Sequence, residues 1–308
     1  MLAAITALAF AAAPVTTDLT APGPQGALAG TMIDAGKSSP VVLIIPGSGP
    51  TDRDGNSPLG ITAASYRLLA KGLAAKGIST VRVDKRGMFG SKAAIPDPNA
   101  VTIADYAADV HAWVGAIRQR TGQRCVWVLG HSEGGTVALA AAQKPDGICG
   151  VISVSASGRR LGDTIRAQLK SNPANVPLLE PAMKALDELE VGRRVPAEKL
   201  PGPLLGLFAP QVQGYLIDLL AQDPPKLAAS LKVPLLIVQG ETDLQTSVED
   251  ARLLAAAQPK ARLVMVPGVN HVLKAAPLDR TANLATYRDP SLPVAPAVVD
   301  AIAEFVKP

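Results

Sequence analysis

The chain is poor in aromatic residues and in clustered positive charge, and both shortages exclude nucleic-acid binding. Phe, Trp and Tyr make up 3% of the 308 residues, so the stacking platform of a single-strand binder is missing. The formal net charge is +4, but the densest basic groups are pairs such as Arg159-Arg160 and Arg193-Arg194. A nucleic-acid surface needs Lys and Arg gathered on one face, so we predict no nucleic-acid partner.

Cysteine is also scarce. Cys125 and Cys149 are the two cysteines, which are too few for a disulfide scaffold and lack metal-ligand spacing. We therefore predict no metal site. Each cysteine begins an apolar run, and one helical pattern separates the two runs. Parallel strands joined in this way begin at the same edge of a sheet, so the sulfurs are expected to lie close together, either as a disulfide in an oxidising compartment or as two half-buried thiols.

Long apolar runs are missing from the chain after its first residues. No stretch in that remaining part reaches the roughly 18 apolar residues of a membrane span. Residues 1–13 form an apolar run that ends in small residues, as in the hydrophobic region and cleavage site of a secretion signal. No Lys or Arg precedes this run, and Pro14 follows it. We expect a signal peptide at 1–13 and an exported protein, periplasmic or secreted; a short apolar helix is the alternative.

The chain does contain a regular alternation of apolar strands and amphipathic helices. The strand-like runs are 40–47, 79–84, 124–130, 149–155, 233–240 and 261–268, and the helical patterns are 62–76, 102–120, 133–143, 248–257 and 296–306. Strands buried on both faces read as continuous apolar runs, and helical crossovers imply parallel pairing. The alternation predicts an α/β fold with a mostly parallel central sheet and helices on both faces. The weaker alternation at 26–36 predicts an additional antiparallel strand.

Residues 159–230 interrupt the alternation. They contain no strand-like run, but hold helical stretches punctuated by proline, such as 178–190 and 211–222. A helical insertion explains so long a segment better than a structureless loop does. We predict core segments at 14–158 and 231–308, with a helical cap at 159–230 over the carboxyl edge of the sheet.

The hexapeptide GHSEGG at 130–135 places Ser132 between glycines, where an apolar strand ends and a helix begins. A nucleophile elbow occupies that position, and its serine adopts a strained backbone conformation that flanking glycines make sterically feasible. An ordinary glycine turn is the alternative. A serine hydroxyl is a poor nucleophile without a base, so the histidines decide between the two interpretations.

Of the three histidines, His271 is the candidate base, because its loop follows a late strand at the carboxyl edge of the sheet. His131 lies inside the elbow and His111 lies in the middle of a helix. The base needs an acid to hold its tautomer, and Asp243, in the loop after 233–240, is the candidate. Glu241 is the nearby competitor.

Acyl transfer also requires backbone N–H groups that bind the developing oxyanion. Glu133 follows the nucleophile and supplies one candidate donor. Ser48, in the Gly- and Pro-rich loop 46–50 after the first long apolar run, supplies the other. A loop of this kind, taken alone, is an ordinary turn. The order of the loop, the serine, the acid and the base along the chain strengthens the interpretation as an acyl-transfer site.

These motifs together resemble the α/β-hydrolases, and more narrowly the bacterial carboxylesterases whose oxyanion loop reads PGSGPTDRDGN. The motifs are PGSGPTDRDGN (46–56), DKRGMFGS (84–91), GHSEGG (130–135), VPLLIVQGETD (233–243) and GVNHVL (268–273). The resemblance runs from about residue 25 to the C-terminus and leaves the cap generic. It implies an α/β-hydrolase fold and ester hydrolysis through an acyl-serine, with Ser132, Asp243 and His271 as the catalytic triad and no cofactor.

Residues 52–56, Asp84 and Arg86 match positions of the family, and we interpret them as loop-fixing ion pairs and caps, with an accessory role in substrate contact as the alternative. Met88 occupies a position that is more often small or polar in related sequences. The predicted partner is a small-molecule ester with a short or medium acyl chain. The cap leucines fit either an apolar acyl pocket or the packing of the cap itself; they are Leu178, Leu179, Leu204, Leu205, Leu219 and Leu220. A peptidase or amidase, an acyl thioesterase and a non-catalytic binding module are the alternatives, and the sequence does not determine the oligomeric state.

Overall fold

Eight strands form one sheet in a computed structural model that describes residues 14–307. The strands are β1 Val15–Ala21, β2 Leu28–Asp34, β3 Val41–Ile45, β4 Ser79–Val83, β5 Val126–His131, β6 Ile148–Val154, β7 Leu235–Gly240 and β8 Arg262–Val266. Their order in the sheet is β1-β2-β4-β3-β5-β6-β7-β8. The pairs from β4 to β8 are parallel, whereas β2 pairs antiparallel with both β1 and β4. The predicted mostly parallel sheet and the antiparallel strand at 26–36 are confirmed.

Helices connect the strands. The α-helices are α1 Ser65–Ala75, α2 Ile103–Thr121, α3 Glu133–Ala141, α4 Leu161–Ser171, α5 Leu179–Glu190, α6 Leu205–Phe208, α7 Gln213–Leu220, α8 Pro224–Ala229, α9 Val248–Ala257, α10 Arg280–Ala285 and α11 Pro296–Val306. Short 3-10 turns lie at Phe89–Ala94, Pro173–Leu178, Ala197–Lys199, Gly202–Leu204, Pro210–Val212 and Thr286–Arg288. Within residues 14–307, no helix is long and apolar enough to cross a bilayer.

The sheet is covered on both faces, and in β3 this burial accounts for a strand without any polar residue. In β3, Val41, Leu43 and Ile45 pack with residues of α2, α3 and α9. The alternate residues Val42 and Ile44 pack on the opposite face with α1 and α11. Successive side chains of a strand point to opposite faces, so a strand buried on both sides needs no polar position.

Strand β1 was missed by the sequence analysis. Its sequence, VTTDLTA, carries more polar than apolar residues, and its burial pattern shows exposed or half-buried positions up to Ala21. It pairs with β2 at the edge of the sheet. An edge strand faces solvent along one side, so its apolar signal is weak.

Helices α4 to α8 lie between β6 and β7 and contain no strand, as expected for the cap segment. They form a separate apolar cluster whose most buried members include Ala182, Leu186, Leu189 and Phe208. The cap therefore has a small core of its own. The cap helices pack against one another and also against the main core.

The structure joins Cys125 and Cys149 by a disulfide between the start of β5 and the start of β6. The sequence allowed either a disulfide or two half-buried thiols, and the structure has the disulfide. The expected signal peptide at 1–13 lies outside the described residues.

Candidate active site

Ser132 occupies a sharp turn between β5 and α3, with φ of 55° and ψ of −123°. A non-glycine residue rarely adopts this positive φ, so the backbone is strained at the serine. A Cβ on Gly130 would overlap the carbonyl of Gly134, and a Cβ on Gly134 would lie 2.5 Å from the carbonyl oxygen of Ile45. Gly130 and Gly134 of GHSEGG are therefore required for the chain to turn here.

His271 and Asp243 meet at the carboxyl edge of the sheet, in the loops that follow β8 and β7. His271 Nδ1 lies 2.9 Å from Asp243 Oδ2, and the two side chains are 7% and 0% exposed. Within residues 14–307, Ser132 Oγ forms no hydrogen bond with His271. This contact is often long before a substrate binds. The structure thus pairs the predicted acid and base and places the predicted nucleophile at the same edge.

The Asp243 carboxylate is held in its charged form. Burial opposes that charge, but the attraction of His271 and the hydrogen bonds from backbone N–H groups outweigh it and keep the pKa of Asp243 below its ordinary value. Asp243 Oδ1 accepts the backbone N–H of Gln245 at 2.7 Å and of Thr246 at 3.0 Å, and Oδ2 accepts the Thr246 hydroxyl at 2.9 Å. The carboxylate can therefore orient His271 and stabilise its protonated form.

The competing residues have other positions. Glu241 is exposed to solvent. His111 Nε2 lies 3.1 Å from the carbonyl oxygen of Ala141, where it joins α2 to the end of α3. Neither residue contacts the pair formed by Asp243 and His271.

The two residues predicted to supply the oxyanion donors, Ser48 and Glu133, line the same cavity as Ser132. Neither the Ser48 nor the Glu133 backbone N–H donates to another residue of the described chain. The loop lies against the nucleophile, since a Cβ on Gly47 would be 3.2 Å from Ser132 Cβ. Lys85 Nζ donates to the Gly47 carbonyl at 2.7 Å and so restrains the loop. Both N–H groups are therefore without a protein acceptor, which is compatible with the predicted role as oxyanion donors.

A cavity of about 770 Å³ opens onto Ser132 and Ser48, between the core loops and the cap. Its apolar lining includes Met88, Leu161, Ile165, Leu207, Leu216 and Leu219. Of the six cap leucines named from the sequence, Leu219 alone lines this described cavity. Four others, Leu178, Leu204, Leu205 and Leu220, belong to the cap cluster or pack against it. The six leucines named from the sequence therefore serve mainly the packing of the cap.

Comparison with known proteins agrees with this geometry. A model of the alpha/beta hydrolase family matches residues 41–285, well over half of the chain. The chain belongs to the alpha/beta hydrolase family. Its mostly parallel eight-stranded sheet is arranged as the resemblance implied.

Relatives of this hydrolase include named esterases. The chain is 28% identical over 240 residues to esterase EstD of Thermotoga maritima, a match that covers 76% of this chain and 54% of the relative. The chain thus spans about half the length of that protein. The solved esterase Pf2001 of Pyrococcus furiosus has a TM-score of 0.58 at 17% identity, covering 96% and 92% of the two chains. Est1E of Butyrivibrio proteoclasticus has a TM-score of 0.57 at 16% identity, covering 94% and 99%.

The hydrolase contains a buried hydrogen-bond chain that the sequence did not reveal. The Tyr66 hydroxyl accepts the Gly47 N–H at 3.0 Å and lies 2.8 Å from His131 Nδ1. His131 Nε2 lies 2.8 Å from the His271 carbonyl oxygen. Burial, and then the charge of His271, lowers the pKa of His131 from 6.5 to about 3, so this ring is neutral. His131 thereby connects the loop 46–50, through Tyr66, to the loop that carries His271.

A second network, from α10, supports the acid and the base together. Asn283 Nδ2 donates to the carbonyl of Thr242, which precedes Asp243, at 2.9 Å. Asn270, which precedes His271, donates to Asn283 Oδ1 at 3.1 Å. Both asparagines are fully buried. Asn270 lies in the quoted GVNHVL motif, but no local signal marked Asn283.

The loop 52–56 is fixed by ion pairs and turns, as the resemblance implied. Arg53 Nε and Nη2 donate to Asp84 Oδ2 at 2.9 and 2.6 Å. Asp52 Oδ1 accepts two backbone N–H groups of its own loop. Arg86 makes a similar forked contact with Asp109 at 2.7 and 2.6 Å. These charged groups shape the loops beside the cavity. Within residues 14–307, no cluster of His, Cys, Asp and Glu could hold a metal ion.

Proposed function

We propose that this hydrolase is a serine carboxylesterase that cleaves short- or medium-chain acyl esters through an acyl-serine. The observation that carries the proposal is the buried hydrogen bond between Asp243 and His271, at the sheet edge where Ser132 occupies its strained turn. The esterase names of the relatives support the same reaction. The apolar cavity above the serine suits an uncharged acyl chain.

In the first half of the reaction, His271 Nε2 takes the proton of Ser132 as Oγ attacks the ester carbonyl carbon. The carbonyl oxygen gains negative charge and accepts the N–H groups of Ser48 and Glu133. The bond to the alcohol oxygen then breaks, and His271 gives its proton to the departing alcohol. Asp243 stabilises the protonated His271 throughout and keeps its own charge.

In the second half, a water molecule takes the place of the alcohol. His271 accepts a proton from this water as its oxygen attacks the acyl carbon, and the same two N–H groups bind the oxyanion. The acyl–serine bond breaks, Ser132 regains its proton from His271, and the carboxylic acid is released.

No observation favours an aminopeptidase over an esterase. An enzyme that binds a substrate ammonium needs a carboxylate that is not already neutralised. Among the described residues that line the cavity, Glu133 is the only carboxylate, and Lys85 Nζ lies 3.4 Å from its Oε1. The cavity therefore presents no free negative charge to an amine.

We infer an exported protein from the apolar residues 1–13 and from the disulfide between Cys125 and Cys149. Disulfides persist in oxidising compartments and are rare in reducing ones. The test is to fractionate producing cells, then to measure the mass and the free thiols of the protein. A shortened chain without free thiols outside the cytosol supports export, and a full-length reduced chain in the cytosol contradicts it.

The esterase proposal is tested with p-nitrophenyl acetate, butyrate and octanoate. Ser132→Ala and His271→Ala should each lower kcat by about 10³-fold or more, because nucleophile and base act as one unit. An active-site serine should also become labelled by a fluorophosphonate probe in the wild type and not in Ser132→Ala. Unchanged ester hydrolysis in Ser132→Ala would contradict the proposal. A wild type that cleaves amino-acid amides but no ester would also contradict it, and would favour a peptidase or amidase.

A further inference from the structure

Gly47 precedes the proposed oxyanion donor Ser48, and buried side chains hold both of its backbone polar groups. The Tyr66 hydroxyl accepts its N–H at 3.0 Å, and Lys85 Nζ donates to its carbonyl oxygen at 2.7 Å. These partners lie 19 and 38 positions away along the chain. Helix α1 and the loop after β4 therefore fix this one residue from two directions.

The carbonyl that Lys85 contacts and the N–H of Ser48 belong to the same peptide unit. This unit is trans and planar, so its C=O and its N–H point in opposite directions. A cation on the oxygen therefore directs the N–H away from Lys85. The cation also draws electron density towards the oxygen, which strengthens the N–H as a donor. Within residues 14–307, the Ser48 N–H donates to no other residue, so it is free to bind an oxyanion.

The Lys85 ammonium is itself confined. Its side chain is 4% exposed, and Nζ lies 3.4 Å from Glu133 Oε1 and 5.6 Å from the centroid of the Tyr106 ring. Hydrogen bonds from a charged donor, such as the one to Gly47, are roughly twice as strong as those between neutral groups. Glu133 supplies the second proposed oxyanion N–H. One buried charge thus contacts the peptide of the first donor and the side chain of the residue that carries the second.

We propose that Lys85 is a positioning residue for the reaction, which orients and polarises the Ser48 N–H through the peptide bond between Gly47 and Ser48. Lys85 acts in this role without touching the reacting atoms. Its effect should appear where the ester oxygen gains negative charge, because the oxyanion donors are needed most at that point. This role rests on the esterase function proposed above, and it adds a residue to the triad and the two donors.

The first test is Lys85→Met, which keeps an unbranched apolar side chain and removes the charge. We expect kcat for p-nitrophenyl butyrate to fall about 10- to 100-fold, less than the roughly 10²–10³-fold cost of losing a whole oxyanion donor.

The second test separates oxyanion binding from filling of the cavity. Ser132 Oγ adds to the carbonyl carbon of 1,1,1-trifluoro-2-heptanone, its proton passes to His271, and the ketone oxygen becomes a hemiketal oxyanion. The inhibition constant of this ketone should rise in Lys85→Met by a factor similar to the loss of kcat. The alcohol 1,1,1-trifluoro-2-heptanol has no carbonyl to form an oxyanion, so its inhibition constant should stay at the wild-type value.

Lys85→Met alone leaves the Glu133 carboxylate buried without its partner, which destabilises a fold by itself. The double variant Lys85→Met/Glu133→Gln removes both charges and keeps the backbone N–H at position 133. It should unfold in urea near the wild-type midpoint and still show the losses of kcat and ketone affinity. Lys307→Met is the matched control and should behave as the wild type, because Lys307 donates to the Lys76 carbonyl at 2.8 Å but lies at the surface.

Wild-type kcat in Lys85→Met would refute the proposed role of Lys85. Recovery of kcat in the double variant would also refute it, since the unpaired carboxylate would then explain the loss. Equal losses of ketone and alcohol affinity would indicate a damaged cavity and refute it as well. In these cases the wild type still cleaves esters and the esterase function stands. A wild type that neither cleaves esters nor binds the ketone would overturn the esterase function itself.

Discussion

Polar contacts in the core loops are buried, whereas the ion pairs of the cap lie at the surface. Asp243 is 0% exposed where it meets His271, and the asparagine network of α10 that supports the two loops is buried as well. In the cap, Arg193 and Glu188 form an ion pair with side chains 64% and 46% exposed.

This difference in burial indicates which part of the molecule needs a fixed side-chain geometry. Buried hydrogen bonds leave polar atoms unsatisfied when they break, so they fix one geometry. Exposed ion pairs contribute about 0–1 kcal/mol each and tolerate rearrangement. The core loops are thus built to hold reacting groups, and the cap, with its own small apolar cluster, is built to shape the cavity.

The largest effect should come from the buried carboxylate of the core. Asp243→Asn removes the charge that orients and stabilises His271, and it should lower kcat by about 10³- to 10⁴-fold. Steady-state kinetics with p-nitrophenyl butyrate measures this loss. Glu241→Gln is the matched control, because Glu241 lies in the same loop but is exposed. Similar losses in both variants would contradict the assignment of Asp243.

The buried His131 should give the protein a stability that depends on pH. The unfolded histidine binds a proton near pH 6.5, whereas the folded one stays neutral down to about pH 3. The unfolded state therefore binds more protons between these values, and stability falls as the pH decreases from about 6.5 towards about 3. This residue contributes a slope of up to about 1.4 kcal/mol per pH unit.

Urea unfolding at about pH 7.5 and about pH 5 measures the slope. His131→Gln should flatten it, since glutamine keeps a donor and an acceptor but does not titrate in this range. His111→Gln, at the contact between α2 and the end of α3, tests whether any histidine has the same effect. An unchanged slope in His131→Gln would show that the buried ring does not control acid stability.

The smallest effect should come from the cap. Leu207 lines the cavity and is 38% exposed, so Leu207→Ala removes apolar contact with a long acyl chain at little cost to the fold. We expect kcat/KM for the octanoate ester to fall about fivefold relative to acetate, which corresponds to about 1 kcal/mol of apolar burial. Val191→Ala is the control, because Val191 is an exposed cap residue outside the cavity. An equal change in both variants would remove the cap from chain-length selection.

Sequence reasoning succeeded where the signal is local or periodic. Runs rich in apolar and β-branched residues identified β3 to β8, because burial inside the sheet favours such residues. The glycines around Ser132 marked the elbow, since a side chain at Gly130 or Gly134 would collide with the backbone. The loops of Asp243 and His271 followed from the rule that parallel strands present their carboxyl ends at one edge.

It failed where a contact joins residues that are distant along the chain. Tyr66 reaches His131 across 65 residues, and Asn283 reaches Thr242 across 41. No spacing rule predicts such pairs, because they depend on how helices and loops come to rest on the sheet. Strand β1 was not predicted for another reason: an edge strand that faces solvent carries almost no apolar pattern.

Local sterics and periodic burial in the amino-acid sequence are enough to predict the layered α/β fold, the strained turn at Ser132 and the chain order of the proposed triad. The packing of separate elements determines which carboxylate meets His271, which cap residues line the cavity and which buried side chains hold the loops. Those outcomes depend on distances between separate elements. They are fixed when the helices and the cap pack on the sheet, and no short stretch of the chain contains them.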